Sequence, residues 1–133
     1  MLNAVIEAVK TVARDEIMPR YLKVARQRKS DGSMFTEADI ASQNALTAAL
    51  MNIADHPVLG EEMPSELQKE LWQAGAAGLW CIDPIDGTSN FVNGLPYFAV
   101  SVALMRQGRS VLGVVYDPVA DKIFYAGARR GAC

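Results

Sequence analysis

A short apolar run, Leu79-Trp80-Cys81-Ile82, is the feature that most constrains how this chain can fold. The run shows no alternation of apolar and polar residues, which is typical of a strand covered on both faces. It ends abruptly at Asp83-Pro84. Because such a strand must be covered by other elements, the sequence predicts a layered fold of helices and sheet.

Helical spacing dominates the beginning of the chain. From Leu2 to about Arg26 the sequence contains no glycine, and its apolar residues recur close to the spacing of one helix face, with lysine and arginine between them. Pro19 is expected to interrupt or kink this helix, because proline lacks a backbone N–H and clashes with the preceding turn.

A second helix is predicted after the turn-forming residues Ser30-Asp31-Gly32-Ser33. Thr36 is the predicted N-cap, and Glu37 and Asp39 would lie in the first turn, where negative charge suits the helix dipole. The helix is expected to end near Asp55-His56-Pro57.

Strand patterns follow in the remainder of the chain. Val58-Leu59-Gly60 predicts a short buried strand, and the segment from Pro64 predicts a short helix. Three further strands are predicted at residues 97–105, 111–116 and 122–125, separated by turn residues as in an antiparallel meander. The predicted fold class is therefore α+β: a layered α/β sandwich with two N-terminal helices on a mixed, largely antiparallel sheet. Residues 1–133 are expected to form a single domain.

Composition argues against several classes of function. The net charge is -2, from 13 basic and 15 acidic residues, so the overall field offers no basis for direct nucleic-acid binding. No apolar run approaches the length of a membrane span, and the N-terminus lacks a secretory signal, so we expect a cytoplasmic protein without membrane contact. Cys81 and Cys133 are then expected to be free thiols. The single histidine, His56, argues against a histidine-rich metal site or a Ser-His-Asp triad.

The strongest chemical pattern is Asp83-Pro84-Ile85-Asp86-Gly87-Thr88, in which two aspartates directly follow the buried run. Gly87 permits a tight turn or a close approach to a ligand. Thr88 is suited to open a helix, whose free N–H groups attract anions. Carboxylates beside an anion would repel it unless cations lay between them. Since Mg²⁺ prefers carboxylate and phosphate oxygens, the pattern predicts a carboxylate–Mg²⁺–phosphate arrangement.

The same residues could instead form a surface turn in which the aspartates cap backbone amides. Three features favour the metal interpretation over the turn. The apolar run precedes the aspartates, Thr88 follows them, and a second acidic pair, Glu61-Glu62, also follows a predicted strand.

The stretch Asp83-Pro84-Ile85-Asp86-Gly87-Thr88-Ser89-Asn90-Phe91 resembles the signature of the inositol monophosphatase family of Mg²⁺-dependent, lithium-sensitive phosphatases. Four further elements occur in the family's order. These are Gly60-Glu61-Glu62, Thr36-Glu37-Ala38-Asp39 preceded by Asp31-Gly32-Ser33, Phe91-Val92-Asn93-Gly94-Leu95-Pro96, and Gly113-Val114-Val115-Tyr116-Asp117-Pro118. The resemblance covers almost the whole chain.

The resemblance implies a role for seven residues. Glu62, Asp83 and Asp86 would supply side-chain ligands to Mg²⁺, and the Ile85 carbonyl would also bind a metal. Gly87 and Thr88 would present backbone N–H groups to the phosphate. Glu62 and Thr88 would position the attacking water, while Asp39 would support Thr88 through a hydrogen bond.

The resemblance also implies an activity. Members hydrolyse small phosphomonoesters such as inositol monophosphate, by metal-activated water with about two or three Mg²⁺ ions. Alternative substrates are histidinol phosphate, fructose 1,6-bisphosphate and a nucleotide 3'-phosphate. The full-length form is expected to be a homodimer.

One departure from the family is its length, because members are roughly twice as long. The chain is therefore expected to be the N-terminal portion of a phosphatase, with the second half of the fold absent. That half would carry most of the leaving-group pocket, so the piece alone could be inactive. Two alternatives remain: a non-catalytic regulatory or binding relative, and an inactive fragment.

Overall fold

The computed structural model describes residues 1–27, 33–60 and 63–127, without the side chains of residues 26, 27, 33 and 34. Its elements, in chain order, are α1 (Leu2–Val12), a π-helical segment (Ala13–Ile17), α2 (Met18–Gln27), α3 (Ser33–Ile53), β1 (Val58–Gly60), α4 (Ser65–Ala74), β2 (Leu79–Asp86), α5 (Thr88–Val92), β3 (Ala99–Arg106), β4 (Arg109–Asp117) and β5 (Lys122–Gly127). No helix within these described ranges is both long enough and apolar enough to cross a membrane.

The interruption predicted at Pro19 takes the form of a π-helical segment between α1 and α2. Here the Met18 N–H donates to the Ala13 carbonyl, five residues back. Proline donates no hydrogen bond, so the backbone just before it must adjust. A widened turn accommodates this and lets the helix continue.

The second helix begins earlier than its predicted cap. α3 starts at Ser33, so Thr36 lies inside the first turn of the helix and the prediction that it is the N-cap was wrong. The added turn carries Phe35, whose ring lies 5.9 Å from that of Phe91. Packing of this aromatic pair stabilises one more turn of helix before the start that the capping signal predicted.

The sheet has the strand order β1-β2-β3-β4-β5. β1 runs parallel to β2, and the three other pairs are antiparallel. This confirms the predicted mixed, largely antiparallel sheet and the α+β class. β2 is longer than predicted, because it continues past Asp83 to Asp86 with a break in register between these two residues.

One face of the sheet packs on α1 and α3. The core between them contains Val5 and Val9 of α1, Leu46 of α3, and Trp80 and Val102 of the sheet, all essentially without solvent exposure. The Trp80 indole N–H donates to the Ala54 carbonyl at 3.0 Å, so its one polar group is satisfied. Trp80 is thus a core residue, as its place in the apolar run predicted.

The other face of the sheet is partly open to solvent. Val115 and Phe124 are register partners on β4 and β5 and are 41% and 63% exposed. Cys81 is half-buried on this face, and burial raises the pKa of its thiol. Cys133 lies outside the described residues. His56 lies in the loop before β1, as expected.

Candidate functional site

Six of the seven predicted site residues line one cleft of about 380 Å³. The cleft lies where α3, the end of β2 and the start of α5 meet. Its lining residues are Asp39, Gln43, Asp83, Pro84, Ile85, Asp86, Gly87 and Thr88. Asp39 therefore joins the others although it belongs to a helix far earlier in the chain. The seventh residue, Glu62, lies outside the described residues, as does its neighbour Glu61.

The irregular end of β2 places its aspartates at the cleft. Asp83 pairs with Ser101 and Asp86 with Ala99, and the register shifts between them. Such an irregularity redirects side chains near a sheet edge. Between the aspartates, the Ile85 side chain is 3% exposed and packs in the core. The buried isoleucine therefore anchors the segment that carries both carboxylates.

Gly87 is the one position in this segment that no other residue could occupy without strain. Its φ is 107°, in the left-handed region. A Cβ there would also lie 2.8 Å from the Tyr97 carbonyl oxygen. Gly87 is the N-cap of α5, which begins at Thr88 as predicted. The first N–H groups of a helix have no acceptor within it, so here they lie beside the carboxylates.

An aromatic cluster holds α5 in place. Phe91 is fully buried, and its ring lies 5.3 Å from Phe98 and 5.8 Å from Tyr21. The Tyr21 hydroxyl donates to the Gly94 carbonyl at 3.0 Å, which joins α2 to the turn after α5. Burial raises the pKa of Tyr21. The sequence reasoning did not identify this support, because Tyr21 lies far from Phe91 along the chain and no local pattern pairs the two rings.

The described lining of the cleft contains three carboxylates, those of Asp39, Asp83 and Asp86, and no lysine or arginine. Asp39 and Asp83 are half-buried, whereas Asp86 is exposed. On α2, the Arg20 guanidinium is paired with other carboxylates, 3.1 Å from that of Glu16 and 3.7 Å from that of Glu37. The lining thus carries negative charge that a bound cation would neutralise.

Besides the Gln43 amide, the cleft offers oxygen atoms from carboxylates, the Thr88 hydroxyl and the backbone, and oxygen ligands are the ones that Mg²⁺ prefers. Within the described ranges, however, no three histidine, cysteine, aspartate or glutamate side chains are close enough together to hold a metal ion. Asp83, Asp86 and the Ile85 carbonyl offer oxygen atoms of the kind that Mg²⁺ prefers, and the described residues supply too few carboxylates to enclose an ion by themselves. Glu62, the remaining predicted side-chain ligand, follows Gly60 by two positions in the sequence and lies outside the described residues.

Gln43 is the lining residue that the sequence reasoning did not identify. It follows Asp39 by one helical turn on α3 and faces the cleft beside it. The i, i+4 spacing from Asp39 is visible in the sequence and could have pointed to it. Glutamine at a helix surface is common, so the spacing alone carried little information.

The sequence profile of the inositol monophosphatase family matches residues 1–133. An inositol-1-monophosphatase of Rhizobium meliloti is 36% identical over 133 residues, which cover 99% of this chain and 47% of that protein. A Nus factor SuhB of Pasteurella multocida is 39% identical over 105 residues, covering 78% of this chain and 38% of that protein.

Solved structures show the same similarity. The crystal structure of CysQ from Bacteroides thetaiotaomicron, described as a bacterial member of the inositol monophosphatase family, matches with a TM-score of 0.71 at 30% identity. The match covers 96% of this chain and 45% of that one. The chain thus spans about half the length, or less, of the proteins it matches.

Proposed function

The chain belongs to the inositol monophosphatase family, and from that premise we propose that it takes part in Mg²⁺-dependent hydrolysis of a small phosphomonoester. The observation that carries the proposal is the cleft that brings Asp39, Asp83, Asp86 and the start of α5 together. The family is one of phosphatases, which supports the reaction class. The substrate, the metal and the roles of individual residues are our proposals.

In the proposed site, Glu62, Asp83, Asp86 and the Ile85 carbonyl would hold about two or three Mg²⁺ ions. When bound, Mg²⁺ neutralises the charge of the phosphate and makes a nearby water more acidic. Without cations, the three described carboxylates of the cleft would repel an anionic ester. In this proposal the carboxylates therefore bind cations, and the positive charge of those cations offsets the repulsion of the phosphate.

Gly87 and Thr88 bind the phosphate through their backbone N–H groups in this proposal. Their position at the start of α5, at the cleft, supports the assignment. The left-handed Gly87 and the buried Phe91 hold this turn in place before substrate arrives. Such preorganisation matters because phosphoryl transfer depends mainly on positioning and on stabilising charge.

Glu62 and Thr88 orient the attacking water, and Asp39 orients the Thr88 hydroxyl. Asp39 and Thr88 line the same cleft, which supports this pairing. No covalent nucleophile is needed, in keeping with a site that contains neither histidine nor cysteine among its described lining residues.

The substrate we propose is an inositol monophosphate or a similar small ester. A relative named inositol-1-monophosphatase is 36% identical over nearly all of this chain. Other matched proteins carry the names 3'(2'),5'-bisphosphate nucleotidase and fructose-1,6-bisphosphatase/inositol-1-monophosphatase, so those esters are alternatives, as is histidinol phosphate. We further propose lithium sensitivity, a homodimeric full-length form and a cytoplasmic location.

A regulatory role is the second candidate. It is favoured by the relatives named Nus factor SuhB, at 39% and 36% identity. Retained carboxylates argue against regulation as the sole role, because a purely structural protein has no need to gather them around one cleft. If the protein had only a regulatory role, it would still bind its partner after substitution of Asp83.

The test is phosphate release from a panel of small phosphomonoesters, with and without Mg²⁺, by the longest protein product that contains this chain. Asp83→Asn is compared with wild type, and Glu66→Gln on the exposed surface of α4 is the matched control. We expect release that requires Mg²⁺, is lost in Asp83→Asn and is retained in Glu66→Gln.

The preferred ester would then identify the substrate class. No release from any ester, at any Mg²⁺ concentration, would overturn the phosphatase proposal and favour the regulatory one.

A further inference from the structure

Gln43 carries a polar side chain in the cleft to which the proposed chemistry assigns no role. It lies between two hollows, the carboxylate cleft and a neighbouring one of about 240 Å³ that also reaches Gly60 and Met63. Asp39 lines both hollows as well. Gln43 and Asp39, one helical turn apart on α3, are thus shared by the two hollows.

The Gln43 amide is seated directly on Gly60. A Cβ at position 60 would lie 2.8 Å from Nε2, 3.4 Å from Oε1 and 3.5 Å from Cδ of Gln43. All three distances involve one amide group, so the whole end of the side chain occupies the space that any other residue at 60 would need. The absence of a side chain at Gly60 therefore lets α3 approach the end of β1.

This contact lies at the junction of the elements that form the cleft. Gly60 is the last residue of β1 and the register partner of Ile82, which directly precedes Asp83. The Gln43 amide carries two N–H donors and one carbonyl acceptor. It can therefore contact Gly60 and also donate to a carboxylate oxygen of the cleft whose lining it shares.

The neutral charge of Gln43 is also informative. The described lining of the cleft already carries three carboxylates, and a fourth in place of Gln43 would add further negative charge. An amide of the same shape donates hydrogen bonds to carboxylates instead. Groups that hold metal ligands by hydrogen bonds commonly change metal affinity by 10- to 100-fold when removed, as an order of magnitude.

We propose that Gln43 is a positioning residue whose amide, seated on Gly60, orients the carboxylates of the cleft and so sets its affinity for Mg²⁺. The inference rests on the proposed function, because it assumes that the cleft binds the metal. It adds to that function a residue on α3 and a contact with β1.

The experiment is titration of Mg²⁺ alone, by isothermal calorimetry, into the longest protein product that contains this chain. Gln43→Ala should weaken Mg²⁺ binding about tenfold. Asn52→Ala is the matched control, since it removes an exposed amide from the same helix away from the cleft. It should bind Mg²⁺ as wild type does. Thermal unfolding without metal checks that each variant folds.

Gly60→Ala provides the decisive second variant. The atoms that its Cβ would meet belong to the flexible end of Gln43, so it should displace the amide without unfolding β1. Gly60→Ala alone should therefore lower Mg²⁺ affinity about as much as Gln43→Ala, roughly tenfold. The double variant should be no weaker than either single one, because both remove the same interaction.

The outcomes separate the two proposals. Suppose that wild type binds Mg²⁺, that Asp83→Asn does not, and that Gln43→Ala binds it with normal affinity. This result would overturn the inference and leave the proposed function standing. Independent, additive effects of the two substitutions would overturn it as well. Absence of Mg²⁺ binding in the wild-type protein would overturn the proposed function together with the inference.

Discussion

The Asn90 side-chain amide donates a 2.7 Å hydrogen bond to the Tyr97 carbonyl oxygen. This is the same oxygen that a Cβ at Gly87 would approach to 2.8 Å. The bond thus holds the segment that follows α5 close to the turn at which α5 begins. The phosphate-binding turn proposed here therefore has no space for a side chain at position 87.

Gly87→Ala should destabilise the protein and weaken anion binding. The left-handed backbone costs a non-glycine residue about 1–2 kcal/mol, and the contact with the Tyr97 oxygen adds to this. Chemical denaturation measures the loss of stability, and titration with inorganic phosphate in the presence of Mg²⁺ measures binding. Gly113→Ala is the control, because a Cβ there meets no atom within 4 Å. Equal stability of the two variants would contradict the strain argument.

Phe91→Ala should be the most damaging of the core substitutions near the site. The ring is fully buried among Tyr21, Phe35 and Phe98, so its removal leaves a cavity and costs about 3–5 kcal/mol. Denaturation in urea measures the change. Phe124→Ala, at a ring that is 63% exposed, should cost far less. Similar costs for the two would show that the aromatic cluster does not stabilise α5.

Mg²⁺ should raise the thermal unfolding midpoint of the wild-type protein. A ligand that binds only the folded state stabilises it by about 2.7 kcal/mol at a hundred times its dissociation constant. Asp83→Asn and Asp86→Asn should each lose most of this stabilisation, because each removes a proposed ligand from the cleft. Glu66→Gln should retain it. A midpoint that responds to Mg²⁺ equally in all four proteins would place the bound ion elsewhere.

Tyr116 should make stability depend on pH in the alkaline range. Burial, and then its hydrogen bond to Asp121 at 2.7 Å, raises the pKa of the hydroxyl to about 12. Folding thus favours the neutral hydroxyl. The contribution of Tyr116 to the free energy of unfolding is therefore complete below its ordinary pKa of about 10, and it is lost as pH rises toward 12. Tyr116→Phe should remove this part of the pH dependence in urea denaturation. Tyr125→Phe, at an exposed ring, should keep it.

Phe124→Ser should reduce self-association of the 133-residue chain. Phe124 and its partner Val115 expose apolar surface on the open face of the sheet, so we expect the chain alone to be oligomeric or poorly soluble. Light scattering at several concentrations measures the effect. Val119→Ser, in the turn between β4 and β5, is a control at a smaller exposed residue. A monodisperse wild-type monomer would contradict this expectation.

Local sequence patterns were sufficient for the type and order of most elements. The unalternating run at Leu79 predicted a buried strand, and the polar turns after Arg106 and Asp117 predicted the meander. Asp83, Asp86 and Gly87 could be assigned to one site because they are neighbours along the chain. These features depend on backbone preferences and on the period of apolar residues, which the sequence displays directly.

Tertiary packing decided the rest. It began α3 at Ser33 through the contact of Phe35 with Phe91, and it extended β2 to Asp86 by pairing with β3. It also brought Gln43 onto Gly60 and Asp39 to the aspartates of β2. No local preference encodes these contacts, because their energy comes from burying surfaces that are far apart in the chain. The sequence therefore indicated which neighbouring residues we propose to bind a metal and a phosphate, while the packing of α3 against the sheet decided that Asp39 and Gln43 share one cleft with them.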